Sequence, residues 1–75
     1  MQRPTASGTD LSPPERAALA TCATGLSIVE AAAVLGRSPE DLRGSIASAI
    51  TKLGALSKLE AVVIAARRGL INLPL

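Results

Sequence analysis

The chain contains no phenylalanine, tyrosine, tryptophan or histidine, and only one cysteine. Without aromatic rings there is no platform for stacking bases, which argues against a reader of single-stranded DNA or RNA. The lack of histidine excludes zinc-finger ligation and His-based catalysis, and a single cysteine excludes an internal disulfide. Cys22 lies among alanines in a helical stretch and reads as a packed core thiol. No apolar run approaches the ~20 residues of a membrane span and no signal-peptide pattern is present, so a soluble cytoplasmic domain without membrane contact is expected. Nor is there a nucleophile–base pair, a metal cluster or a phosphate-binding glycine loop. The expectation is therefore a protein that is not an enzyme and takes neither cofactor nor metal.

What is present is short and regular. With 75 residues, a net charge of +2 and a pI of about 9.3, the chain suffices for one small domain with a modest core. The mild basic excess permits a nucleic-acid partner without demanding one. Residues 1–10 are small and polar, with Pro4 and Gly8, and read as a flexible arm or linker ahead of a domain spanning 11–75. A signature then recurs: Ser12, Ser27, Ser38 and Ser57 are each followed three residues later by an acid, Glu15, Glu30, Asp41 and Glu60. The Glu versions have the form of capping boxes, and Asp41 is a shorter version. Each segment closes on a glycine, Gly25, Gly36, Gly54 or Gly69, a residue suited to the left-handed turn after a helix. The pattern predicts four helices, about 13–24, 28–35, 39–53 and 58–68, with no strand.

The third helix organises the rest. Leu42, Ile46, Ala49, Ile50 and Leu53 recur at helical spacing and form one apolar stripe. Arg43, Gly44, Ala47, Ser48 and Thr51 make a flat outer face, and Lys52 sits in the last turn. Only Gly36, Arg37 and Ser38 separate helices two and three, the short glycine-containing connection of a helix-turn-helix. In that motif the second helix enters the major groove of DNA while the first crosses the backbone.

From Leu11 to Ile71 the stretches LSPPERAAL, GLSIVEAAAVLG, SPEDLRGS, KLGA and SKLEAVVIAARRGLI follow in the order and spacing of a known pattern. They resemble the DNA-binding domain of the LuxR/FixJ/GerE family of bacterial transcription regulators. The resemblance implies an all-α, tetrahelical helix-turn-helix domain that binds double-stranded DNA as a homodimer through its fourth helix. It also implies a nucleoid-associated protein, commonly with an upstream receiver or ligand-binding domain. By the resemblance, Arg43 stands at a family contact position, Gly44 and Ala47 at positions that face bases, and Lys52 and Lys58 at basic positions near phosphates. Ser48 and Thr51 on the outer face and Arg37 and Ser38 in the turn complete the candidate DNA-binding set. The chain also departs from the family. Ile28-Val29 stand where Asn-Lys is usual, Asp41 where threonine is, Arg43 for lysine and Ser45 for histidine, while Ala47 replaces a long polar residue.

These residues support two functional readings. Arg43 is either a base or phosphate contact or an exposed partner of Glu40. Gly44 and Ala47 either let the helix sit deep or mark a relaxed, unused surface. On helix four, Leu59, Val63 and Ala66 form a second apolar stripe beyond the packed positions Ala61, Val62 and Ala65. That stripe is expected to be a dimer interface, or else a seat for an upstream domain. The sequence thus predicts a dimeric DNA-binding regulator. The alternative is a protein-interaction module of the same fold that contacts another regulator or the transcription machinery.

Overall fold

Four serines set the four helix starts. In each case the side-chain oxygen accepts the backbone N–H three residues on: Ser12 from Glu15, Ser27 from Glu30, Ser38 from Asp41 and Ser57 from Glu60. The helices are α1 (Pro13–Cys22), α2 (Ile28–Leu35), α3 (Pro39–Leu53) and α4 (Lys58–Arg67). The protein, described by a computed structural model over residues 11–72, is all-α. The expected arm or linker, residues 1–10, and residues 73–75 lie outside the described residues.

The caps differ in detail from the sequence pattern. Ser12–Glu15 and Ser27–Glu30 are reciprocal boxes, each acid accepting from the serine's own N–H. The third expected box is one-sided, because Glu60 accepts from Leu56 N–H rather than from Ser57. Asp41 does not turn back on Ser38 either; its carboxylate goes to Arg37. A shorter side chain beside a guanidinium takes the charged partner. Helix α1 stops at Cys22, two residues earlier than expected, where Thr24 Oγ1 donates to the carbonyl of Thr21.

Helix ends follow the glycines. Gly36 and Gly54 both adopt φ +67°, which lets Arg37 N–H reach Ala32 O at 2.9 Å and Ala55 N–H reach Ile50 O at 3.0 Å. These bonds satisfy carbonyls that the helices leave open. Because Gly36 reverses the chain at once, α2 and α3 are joined by residues 36–38 alone.

Two apolar clusters hold the helices, and α3 belongs to both. Leu19 of α1, Ala49 and Leu53 of α3, Ala61, Val62 and Ala65 of α4, and the flanking Leu11 and Ile71 form one. Ala18 and Cys22 of α1, Ala31 and Ala32 of α2, and Leu42 and Ile46 of α3 form the other. Ile50 is half-buried between the two. Helices α1 and α3 therefore make a central pair, with α2 on one cluster, α4 on the other, and no contact between α2 and α4. Many core positions are alanine, which lets backbones approach closely but buries little apolar area per residue. The largest fully buried side chains are Leu19 and Leu42.

Candidate nucleic-acid interface

The inner stripe of α3 is spent on the core, which fixes where its outer face points. Leu42, Ile46, Ala49 and Leu53 are buried, so Glu40, Gly44, Ala47 and Thr51, spaced i, i+4, i+7 and i+11, turn outward and are all exposed. Arg43 is exposed on one flank of this face, and Lys58 is exposed at the start of α4. Among the described residues, the ion pairs are Arg37–Asp41 and Lys52–Glu15, so the Glu40–Arg43 pair, the alternative reading of Arg43, does not form.

The other flank is tied to α1. Glu15 is buried at 6 % exposure and its carboxylate is fully partnered. Ser12 N–H and Lys52 Nζ donate to Oε1 at 2.8 and 2.9 Å, and Ser48 Oγ donates to Oε2 at 2.6 Å. Burial alone would push this carboxyl up. The hydrogen bonds from Ser48, Ser12 and Lys52 outweigh burial and bring its pKa down to about 2. Ser48 and Lys52, predicted to face DNA, instead hold α3 against α1. They are one turn apart on α3, so a single carboxylate reaches both.

A depressed carboxylate pKa supplies stability above its unfolded-state value that is lost as pH falls through the folded one. For Glu15 the window runs from about 4.5 down to about 2. Conversion of that shift gives roughly 3 kcal/mol of acid-labile stability. Glu30, whose carboxyl is lowered by its bonds to Ser27, adds to the loss in the same direction. Urea melts across this range are expected to show the fall in the parent and a much flatter profile in Glu15→Gln. An equally steep acid loss in the variant would locate the linkage elsewhere.

Arg37 is also occupied. Its Nε pairs with Asp41 Oδ2 at 3.3 Å, Nη2 donates to Asp41 O at 3.2 Å and to Ser45 Oγ at 2.5 Å, and Nη1 donates to Pro14 O at 3.4 Å. The guanidinium thus staples the α2–α3 turn to the first turns of α1 and α3. Ser38 is used as the α3 cap. Of the residues the sequence pointed to, Arg37, Ser38, Ser48 and Lys52 have partners inside the domain, while Arg43, Gly44, Ala47, Thr51 and Lys58 are exposed and make no side-chain hydrogen bond or ion pair among the described residues.

Gly44 is notable among the free residues. It lies inside a helix, and a Cβ built on it would meet nothing within 4 Å. None of the described residues requires glycine here, although a mid-helix glycine costs about 1 kcal/mol relative to alanine. Compared with models of known protein families and with curated proteins, the chain matches none.

Apolar surface is exposed in two further places. On α2, Ile28 packs partly into the core, while Val29 and Val34 are exposed at 61 % and 68 %. Around α4, Leu59 and Val63 are exposed and Ala66 is half-buried against the core, so the expected stripe is complete only in its first two members. Leu56, 91 % exposed, extends that patch; it lies ahead of the Ser57 cap and so outside α4 itself. Among the described residues, no helix is long and apolar enough to cross a membrane.

Proposed function

We propose that the domain binds double-stranded DNA as a homodimer and regulates transcription, with α3 as the helix that enters the major groove. One observation carries this reading. Helix α3 is buttressed by α1, α2 and α4, while among the described residues the small side chains of Gly44, Ala47 and Thr51 are left uncovered on its outer row. Its glycine serves no internal purpose. A helix in a groove needs such a face, and a missing Cβ lets backbone approach base edges. Arg43 is the base reader, since a forked guanidinium matches guanine O6 and N7. Lys58 is a phosphate contact, which positions without reading sequence. Of the four cations proposed near DNA, Arg37 and Lys52 are paired internally and Arg43 reads a base, which leaves Lys58 as the phosphate contact of each subunit and a shallow salt slope of about −2 for a dimer. Titration of duplex DNA across salt concentration tests this, and no binding at ~50 mM salt by folded protein would refute it.

The dimer forms through α4. Leu56, Leu59 and Val63 are exposed apolar side chains, and such patches seek cover. Glu60 and Arg67, both exposed, lie two turns apart to either side of Val63. Antiparallel pairing about a two-fold axis places each acid opposite the partner copy's base, an isologous contact. The patch is small, so micromolar self-association is expected. Val63→Asp should give a folded monomer by sedimentation at matched concentration. A parent that is monomeric throughout, or a variant that unfolds, would remove α4 from the interface.

A second reading is a protein-interaction module of the same fold. Val29 and Val34 favour it, because apolar side chains on α2 have no use beside phosphates. Glu40 favours it too, being an acid on the outer row of α3.

A further inference from the structure

The charge shown at the head of α3 is not the one the sequence places in the turn before it. Arg37 is a cation whose side chain is 18 % exposed, whereas its partner Asp41 is 67 % exposed. A docking phosphate therefore meets the Asp41 carboxylate, with Glu40 exposed beside it, before it meets the guanidinium. The remaining partners of Arg37 are neutral: the carbonyls of Pro14 and Asp41 and the hydroxyl of Ser45. These three fix the position of the side chain. Among the described residues, only Asp41 Oδ2 cancels its charge.

We infer that Asp41 is an autoinhibitory residue, its carboxylate standing in for a DNA phosphate on Arg37 and lowering the affinity of the free domain for duplex. The inference rests on the DNA-binding function proposed above. An exposed ion pair is weak and screened, so it can be displaced by the dense phosphate array of a duplex. Displacement still costs binding, because the freed carboxylate stays close to the phosphates. When Asp41 is neutral, the three neutral contacts continue to hold Arg37, and its full charge becomes available.

Asp41→Asn is the direct test, since it keeps the shape of the side chain and the backbone bond to Ser38 Oγ. On random-sequence duplex at ~50 mM salt the variant should bind roughly 5- to 20-fold more tightly than the parent. Its salt slope should steepen by about 2 for a dimer, one new phosphate contact per subunit. Adding Arg37→Ala should remove both gains, and Arg37→Gln replaces it if the alanine variant fails to melt cooperatively. If the parent binds and Asp41→Asn changes neither affinity nor slope, the inference is overturned and the DNA-binding function stands. A gain that survives loss of Arg37 also overturns it, since Asp41 then acts by repulsion alone. If neither parent nor Asp41→Asn binds duplex, the inference and the function fall together.

Discussion

Leu42→Ala is expected to cost 2–5 kcal/mol and to leave the domain at the edge of folding. Leu42 is among the largest fully buried side chains, and it joins α3 to α1 and α2 in a cluster otherwise made mostly of alanine. Where in that range the cost falls depends on how far the neighbouring Ile46, Leu35 and Ile50 relax into the space left behind. A domain of this length has a total stability of roughly 4–10 kcal/mol. A loss of ~3 kcal/mol would lower Tm by roughly 12–24 °C, at 4–8 °C per kcal/mol. Leu56→Ala, at a side chain almost wholly exposed, is the matched control and should stay within about 0.5 kcal/mol of the parent. Thermal and urea melts of the three proteins decide it. A Leu42→Ala cost below about 1 kcal/mol would mean that the second cluster does not hold the helix-turn-helix.

The helices were legible in the sequence because their signals are local. Ser12, Ser27, Ser38 and Ser57 act within one turn, and Gly36 and Gly54 act at a single backbone position. The buried stripe of α3 was equally plain, since Leu42, Ile46, Ala49 and Leu53 repeat at the helical period. The candidate site was only half legible. Its exposed row follows once the stripe is fixed, but the fate of each charge depends on what lies across from it. Glu15 reads as a capping acid and is one, yet it also takes Ser48 and Lys52 from 33 and 37 residues away. Arg37 likewise reaches Pro14, 23 residues back. Periodicity within a helix carries no record of such partners. The matches Glu15 and Lys52 in the resemblance to LuxR/FixJ/GerE regulators sit opposite each other as one ion pair across α1 and α3. Those positions describe the frame more than the surface it presents.

What the surface does turns on the bare outer row of α3, and Gly44 is its most informative position. Gly44→Leu starts a side chain where a Cβ meets nothing within 4 Å among the described residues, and it replaces a poor helix former with a good one. The variant should fold at least as stably as the parent, by up to about 1 kcal/mol. If α3 lies in the major groove with its backbone close to base edges, the same side chain stands between protein and DNA. The decisive measurement is binding of parent and Gly44→Leu to random-sequence duplex at ~50 mM salt, with both proteins shown to be folded. The expected result is that the parent binds and Gly44→Leu loses at least about 30-fold, on the order of 2 kcal/mol. Equal binding by the two proteins, or none by the parent, would contradict a DNA-reading role for this helix.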